Sequence, residues 1–255
     1  MHFRLFPELS MVLFRNEIIP ECEVIMKGSV ASTVREKVCA SADQYWAVRD
    51  FNMESHAVAT ELSRLRHAGE LEWVRRGMYW RGRRTRFGVA GAPAVEAVRK
   101  LVSGEEALGA AGWYATNLFR LSTQVSPVPM VAVTCRVPTG LKDVRVVDRS
   151  NRWARRSARL NETEVTYLEA LEAWDENVEL SNSEALSRFV ELLDLEAVRK
   201  EKLVEASVTE SSRVRERLRA VLAESGAQDL SMRVQGAKSP SSLERARRVL
   251  PSGVA

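Results

Sequence analysis

The sequence predicts an α+β fold, with an N-terminal winged helix-turn-helix domain followed by a mixed α/β, mainly helical C-terminal domain. Three observations carry this prediction. Residues 55–80 combine a polar-faced helix with a short β-hairpin, residues 130–147 hold two β-rich runs, and apolar residues recur at helical spacing from position 161 onward. At 255 residues, with 45% hydrophobic and 28% charged residues, the chain is long enough for two domains.

The N-terminal domain is expected to span residues 26–90. Residues 30–38 predict a first helix, residues 45–48 a strand that joins the hairpin, and residues 49–53 a turn with a short second helix. Residues 1–25 form an extension, which is either an added strand and packing segment or an over-long start assignment. The residues expected to form the core of this domain are Trp46, Phe51, Leu62, Leu65, Trp73 and Tyr79.

The helix over residues 55–68 separates apolar from polar side chains. Val58, Leu62 and Leu65 recur at the spacing of a buried face, with Ser55 as the expected N-cap and Gly69 as the stop. A solvated amphipathic helix would look the same. If the helix contacts DNA, the side chains suited to base edges are Ser55, His56, Thr60, Ser63, Arg64 and His67.

The hairpin that follows favours the DNA interpretation. Residues 71–74 and 78–80 are short and β-prone, and Arg75-Arg76-Gly77 separates them as a turn. From Arg64 to Arg86, eight arginines face two glutamates, a local net charge of +6. Charge of that density repels itself, and a polyanion relieves it. The hairpin-side arginines expected to contact phosphates or to enter the minor groove are Arg75, Arg76, Arg81, Arg83, Arg84 and Arg86.

The C-terminal domain is expected to span residues 91–225. Its first part predicts helices over 93–101 and 104–121 and strands over 130–137 and 144–147. A second basic cluster follows, and it is either a solvated sheet edge or a contact to DNA or to an acidic partner. The members of this second basic cluster are Arg145, Arg149, Arg152, Arg155 and Arg156, with Arg159 close by.

Charge divides the chain into two halves. Residues 160–225 carry sixteen Asp and Glu against eight Lys and Arg, a net charge of −8, whereas the preceding stretch is basic. This asymmetry predicts nucleic acid as the partner of one half and a different partner for the acidic helices. From residue 226 the composition turns to Ser, Pro, Gly and Arg, which predicts a loosely attached tail over 226–255.

The sequence holds no pattern typical of catalysis or of a bound cofactor. A Ser/His/Asp set, an H-x-x-x-H pair, a P-loop and a G-x-G-x-x-G run are all missing, so an enzyme is not expected. Cys22, Cys39 and Cys135 are too far apart to form a zinc site, and they indicate the reducing cytoplasm. The longest uncharged run near the start has six residues (9–14), too short for a membrane span.

Two segments resemble the AbiEi-family antitoxins. LSRLRHAGELEWVRRGMYW, within residues 62–80, resembles the family's leucine-rich recognition helix followed by G-E-L and V-R-R-G-x-Y. YATNLFRLSTQVSPVPMVAVTC, within residues 114–135, resembles its second region, in which a helix ends in L-S-T-Q-V before a strand. The two segments occur in the family's order. The chain departs from the family in its N-terminal extension and in the S-P-V-P step after L-S-T-Q-V.

The resemblance implies a toxin–antitoxin system whose toxin is nucleotidyltransferase-like. It implies that residues 55–68 are the recognition helix, that Arg75-Arg76-Gly77 is the wing tip, and that the winged helix represses the shared promoter by binding its inverted repeats. The C-terminal domain would then counteract the toxin. Two alternatives stay open: a one-component regulator with a small-molecule pocket, and a protein-docking module in which the acidic helices hold a basic protein.

Overall fold

The computed structural model describes residues 28–102, 104, 107–237, 240–248 and 250, and its fold is α+β, as the sequence predicts. The α-helices are α1 (Val30–Cys39), α2 (Ser55–His67), α3 (Ala94–Leu101), α4 (Gly112–Leu118), α5 (Ala154–Ser157), α6 (Glu162–Glu172), α7 (Trp174–Asn177), α8 (Asn182–Leu193), α9 (Lys200–Ser207), α10 (Ser212–Glu224), α11 (Gln228–Arg233) and α12 (Pro240–Arg247). The strands are β1 (Gln44–Ala47), β2 (Glu72–Arg75), β3 (Met78–Arg81), β4 (Arg84–Thr85), β5 (Gly88–Val89), β6 (Leu108–Ala110), β7 (Met130–Val133) and β8 (Arg145–Asp148). The extension expected over residues 1–25 lies outside the described residues.

Strands β1, β3 and β2 form an antiparallel sheet in that order, so the third strand that the sequence predicts is present. Trp46 pairs with Tyr79 on the face that α1 and α2 cover, and Tyr45 pairs with Trp80 on the face that α3 covers. Successive side chains of a strand point to opposite faces, so aromatic residues serve both. Because β1 and β3 are covered on both faces, contact with other molecules is left mainly to the turns of this sheet and to its exposed edge β2.

The core between α1, α2 and the sheet is mostly the predicted one. Its buried members are Val34, Val38, Trp46, Phe51, Val58, Leu62, Leu65 and Leu71, with Tyr79 packed against them. The prediction was wrong for Trp73, whose surface is 42% exposed. Since β2 is the edge strand of the sheet, its indole is left half in solvent, where the Arg66 guanidinium lies 5.9 Å from the ring centroid.

The ends of α2 differ slightly from the prediction. Ser55 is the first helical residue, and Glu54 is the N-cap, with its carboxylate accepting hydrogen bonds from the N–H groups of His56 and Ala57. These bonds lower the pKa of the Glu54 carboxyl. Gly69 adopts φ of 73° directly after the helix, as a left-handed stop requires. The predicted short second helix is a 3-10 turn over Val48–Asp50.

A second sheet, of order β6-β7-β8, lies in the following region, with β7 antiparallel to β6 and parallel to β8. The strands predicted over 130–137 and 144–147 are thus confirmed, in shorter form. The helix predicted over 104–121 was wrong in its first half, where β6 lies. Gly109 brings β6 so close to α6 that an added Cβ would lie 2.7 Å from the Thr166 backbone nitrogen. Tertiary contact therefore overrides the helical preference of this alanine-rich stretch.

Helices α6 to α12 surround the largest hydrophobic core, which includes the aromatic side chains of Tyr167, Trp174 and Phe189. The prediction of a loose tail over 226–255 was wrong for the part that the structure describes. Helices α11 and α12 both pack on α10, and Val234 and Leu250 are buried in the same core. A low content of apolar residues does not exclude packing, because single apolar side chains such as Val234 and Leu250 can still be buried in an existing core.

Candidate nucleic-acid interface

The polar face of α2 lies at the surface. Ser55, His56, Arg64 and His67 are exposed, whereas Thr60 and Ser63 are half-buried. The Thr60 hydroxyl donates a hydrogen bond of 2.8 Å to the His56 carbonyl oxygen, which leaves its lone pairs for an outside donor. The helix therefore offers a row of short polar groups with one long cation, while its opposite face is fixed in the core.

Sequence reasoning missed one residue of α2, Glu61. Its carboxylate is only 1% exposed and lies between two arginines, 2.7 Å from Nη2 of Arg35 on α1 and 3.4 Å from Nη1 of Arg64. A signal was present, because Glu61 stands three residues after Val58 and four before Leu65, on the apolar stripe of the helix. This buried carboxylate fixes α1 to α2 and partly neutralises an arginine of the polar face.

The hairpin of β2 and β3 turns at Arg76 and Gly77, and Gly77 has φ of 74°. Arg76 is exposed at the tip. The sequence predicts Arg75 at the free tip. In the structure it belongs instead to β2 and is half-buried. Gly140 lies against it, where an added Cβ would be 3.8 Å from the Cβ of Arg75. Of the two arginines assigned to this tip, Arg76 is therefore the one that projects.

Three arginines, from the last residue of β3 onward, have carboxylate partners. Glu70 pairs with Arg81 at 2.7 Å and with Arg84 at 2.9 Å, and Asp43 lies 3.4 Å from Nε of Arg83. Arg81 is only 15% exposed, so its assignment as a free phosphate contact is corrected. Arg83 and Arg84 keep 70% and 68% of their side-chain surface in solvent, where an exposed ion pair exchanges readily. These two arginines can therefore still face a polyanion.

A second small hairpin, formed by β4 and β5, was not foreseen. It turns at Arg86 and Phe87, and the Arg86 guanidinium lies 4.6 Å from the Phe87 ring centroid. Phe87 is 86% exposed, the largest exposed fraction among the large hydrophobic side chains that the structure describes. Strands of two residues give little alternating pattern, which is why the sequence did not reveal them.

The second basic cluster does not form a free cationic patch. Arg155 is 1% exposed and contacts two carboxylates, Glu169 at 2.6 Å and Glu210 at 2.7 Å, and Arg149 makes two further bonds to Glu169. Arg152 is mostly covered and donates to the Thr209 carbonyl oxygen at 2.6 Å. For these three arginines the second contact surface is corrected to an internal ion-pair network. Arg145 and Arg156 are exposed.

Ion pairs within the chain also neutralise several of the carboxylates between residues 160 and 225. Besides Glu169 and Glu210, Glu164 pairs with Arg199 at 2.7 Å, and Glu172 with Arg213 at 2.8 Å. Burial by itself raises the pKa of Glu169, but the bonds from Arg149 and Arg155 outweigh it and leave that pKa lowered. The expectation that the acidic helices present their charge to a separate partner is wrong for these carboxylates, because they are paired within the chain.

The L-S-T-Q-V run is held by Glu179, which lies two residues after the end of α7. The Glu179 carboxylate accepts hydrogen bonds from the Thr123 N–H at 2.6 Å, the Thr123 hydroxyl at 2.9 Å and the Ser122 hydroxyl at 3.0 Å. These donors lower the pKa of Glu179 from its ordinary 4.5 to about 2. The Ser-Thr pair therefore serves to fix the loop that leads towards β7.

The described residues offer neither a metal site nor a membrane-spanning helix. Among them, no group of three or more His, Cys, Asp and Glu side chains is placed to hold a metal ion. Within the same ranges, no helix combines the length and the apolar character that crossing a bilayer requires. His56 and His67 lie on α2, and Cys39 and Cys135 are free thiols.

Comparison with known proteins does not assign a function to this chain. No family model matches the chain, and no curated protein matches it. Among solved structures, the crystal structure of the RV2827C protein from Mycobacterium tuberculosis aligns with 84% of this chain and 80% of its own, with a TM-score of 0.46 and 13% sequence identity. A likeness of that degree carries no argument about activity.

Proposed function

We propose that this chain is a DNA-binding transcriptional repressor, in which α1, the 3-10 turn, α2 and the β1-β3-β2 sheet act as a winged helix-turn-helix. One observation carries the proposal. The polar face of α2 is exposed, and the two hairpins that follow it carry exposed arginines that are not paired with fully buried carboxylates. In winged helices a helix of this kind lies in the major groove while the hairpin contacts the neighbouring phosphates. The order of elements along residues 30–81 fits that arrangement.

The roles follow from exposure. His56, Ser63 and Arg64 present donors and acceptors of modest reach, which suits hydrogen bonding to base edges in the major groove. Arg76 on one hairpin and Arg86 on the other present charge without base preference, which suits phosphates. Arg83 and Arg84 would exchange Asp43 and Glu70 for phosphate oxygens when DNA is bound. Base contacts then supply sequence preference, and the hairpins supply affinity and salt dependence.

The antitoxin assignment is part of this proposal and rests on the resemblance to the AbiEi family. The resemblance covers the segment from α2 to β3 and the segment from α4 to β7. In this interpretation the chain represses its own promoter, acts in the cytoplasm, and counteracts a nucleotidyltransferase-like toxin through its C-terminal domain. It has no catalytic activity and needs no cofactor.

A second candidate is a one-component regulator with a small-molecule effector. A cleft of about 360 Å³ favours it, since effector sites are usually concave and combine an apolar wall with a few polar groups. Trp113 and Val147 line the cleft together with Arg145, Arg213 and Glu176. Arginines and carboxylates alternate around this cleft, so it would suit a small zwitterion better than a simple anion.

The repressor proposal is tested by fluorescence anisotropy of the full chain on two labelled duplexes. One is taken from the DNA upstream of its own gene, and the other is a scrambled duplex of the same base composition, each at two salt concentrations. We expect tighter binding to the upstream duplex, with an affinity that falls steeply with salt. Equal binding to both duplexes, abolished at moderate salt, would overturn the proposal in favour of a protein-docking module.

The antitoxin part needs a separate test. The gene adjacent to that of this chain is expressed alone and together with it, and cell growth is followed. Growth arrest by the neighbouring product, relieved by co-expression, supports the antitoxin. A harmless neighbour combined with operator binding would leave a repressor outside a toxin–antitoxin system, and a search for ligands of the cleft would follow.

A further inference from the structure

The β4–β5 hairpin combines features that a surface loop seldom has together. Phe87 at its turn is 86% exposed, Arg86 lies in the turn, Arg84 lies in the first strand, and Arg83 directly precedes that strand. A single exposed apolar residue is ordinary on a protein surface. A phenyl ring at the end of a hairpin, with the Arg86 guanidinium 4.6 Å from its centroid and two more exposed arginines at the hairpin base, suits a polyanion that has apolar flat surfaces inside it. Duplex DNA has that combination.

The base of this hairpin is rigid. Gly82 is buried so tightly that an added Cβ would lie 2.1 Å from the Ala90 carbonyl oxygen, which also accepts a hydrogen bond of 2.8 Å from the Trp80 indole. The Ala90 N–H donates to the Arg83 carbonyl oxygen at 2.9 Å. Trp80 itself is buried between the sheet and α3. The base of the hairpin is therefore anchored to the sheet and its core.

The turn is also held in shape. The Thr85 hydroxyl donates to the Gly88 carbonyl oxygen at 2.8 Å and accepts from the Phe87 N–H at 3.1 Å, and Gly88 has φ of 116°. With both bonds in place, the side chains of Arg86 and Phe87 project from a fixed turn. An aromatic ring presented in this way loses little conformational entropy when it is bound.

The hairpin is placed beside the proposed recognition helix. Glu70, which follows the stop of α2, pairs with Arg84 on β4 and with Arg81 on β3. The turn at Arg76 lies at the other end of β3. The two hairpins therefore leave opposite ends of one strand, and the second one stands at the C-terminal end of α2. When α2 occupies the major groove, this hairpin would lie beyond the C-terminal end of the helix, next to DNA that α2 itself does not contact.

We propose that Phe87 is a wedge that enters the minor groove and partly unstacks one base step, with Arg86 in the groove beside it. The proposal rests on the proposed function and adds a second site to it. The minor groove is only about 6 Å wide, so a two-stranded hairpin cannot enter it, and only the side chains of Arg86 and Phe87 at the turn would do so. Architectural DNA-binding proteins insert apolar side chains between base pairs in this way, and arginine favours a narrow minor groove.

The experiment uses the full chain and the upstream duplex, with 2-aminopurine replacing adenine at one position at a time. This base fluoresces more strongly when it is unstacked. We expect binding of the native chain to raise the fluorescence at one or two adjacent positions. These positions should lie beside the base pairs that α2 contacts. Phe87→Ala should remove that rise and weaken binding about tenfold, because one aromatic–base contact is lost. Phe87→Trp should retain both.

Two controls separate the wedge from other roles of the hairpin. Val89→Ala removes another exposed apolar side chain, two residues away, and should change neither readout. Arg86→Ala should reduce the salt dependence of binding, whereas Phe87→Ala, which removes no charge, should leave it unchanged. Because Phe87 is exposed, its substitution should also leave the melting temperature of the protein unchanged.

The outcomes distinguish this proposal from the one before it. If the native chain binds the upstream duplex with sequence preference, but no position shows unstacking and Phe87→Ala binds as tightly, the wedge is overturned and the repressor stands. If the native chain shows no preference for that duplex, both proposals fail. Loss of toxin neutralisation by Phe87→Ala, with DNA binding intact, would assign Phe87 to a protein contact and also overturn the wedge.

Discussion

Two stretches of this chain have similar arginine content and opposite uses for it. In the stretch from Arg64 to Arg86, the exposed hairpin arginines Arg83 and Arg84 pair with Asp43 and Glu70, which are themselves partly in solvent. Between Arg145 and Arg159 the central arginine, Arg155, is 1% exposed and enclosed by Glu169 and Glu210. A charge that is paired in the interior cannot be offered to a ligand, because removing its partner leaves a buried charge uncompensated. Burial, and not the number of arginines, therefore decides which cluster is available to DNA.

The largest effect that this comparison predicts is on stability. Arg155→Ala leaves Glu169 and Glu210 buried with fewer partners, and we expect the free energy of unfolding to fall by about 3–5 kcal/mol. Arg155→Lys should lose less, because one ammonium can replace part of the charge but not the bidentate geometry. Urea denaturation followed by circular dichroism measures both. The matched control is Arg156→Ala at the exposed neighbour, for which about 0.5 kcal/mol or less is expected. Equal losses at the two positions would contradict the comparison.

The next effect is on DNA binding. Arg76→Ala removes an exposed cation from the first hairpin, so affinity should fall several-fold on specific and scrambled duplexes alike. The slope of log affinity against log salt should decrease by about 1. Arg156→Ala again serves as the control, since the comparison assigns its region no DNA contact. A slope reduced equally by Arg156→Ala would show that the second cluster also faces DNA.

The features that the sequence predicted are local ones. The buried stripe of α2, the left-handed stop at Gly69 and the turn at Gly77 each depend on residues within a few positions of one another. The missed features depend on distant partners. Arg155 meets a carboxylate 55 positions away, Glu61 meets Arg35 of another helix, and β6 forms because α6 covers Gly109. A charge plot cannot reveal such pairs, since the residues come together only after folding.

The candidate site was predicted in the same uneven way. The polar row on α2 and the exposed Arg76 follow from helical periodicity and turn composition. The loss of Arg75 and Arg81 from the free surface, and the presence of Phe87 on a second hairpin, follow from packing on the sheet and from Glu70. Sequence reasoning therefore identified the exposed row of α2 and the exposed Arg76, but it overestimated how many arginines of the candidate site are free.

A smaller effect is expected from Glu61. Glu61→Gln keeps the size of the side chain and an acceptor for Arg35, but it removes the negative charge that holds Arg64 back. Affinity for either duplex should rise a few-fold at low salt, and the gain should shrink as salt increases. Glu36→Gln, at an exposed position on α1, removes the same net charge elsewhere and is the control. An equal rise in both variants would attribute the effect to net charge and not to the release of Arg64.

The smallest effect concerns the stability at acid pH of the loop that Glu179 holds at Ser122 and Thr123. The pKa of Glu179 is lowered from 4.5 to about 2, so its ionised form is bound more tightly in the folded chain than in the unfolded one. Its contribution is complete above pH 4.5 and is lost as the pH falls towards 2. Glu179→Gln should therefore lower the melting temperature slightly at neutral pH and reduce its dependence on pH in that acid window. Glu184→Gln is the comparison variant. Glu184 is another exposed carboxylate with a lowered pKa, and it completes the capping box of α8 with Ser181. A native chain and a Glu179→Gln variant with parallel acid profiles would show that the Ser122–Thr123 loop does not depend on this carboxylate.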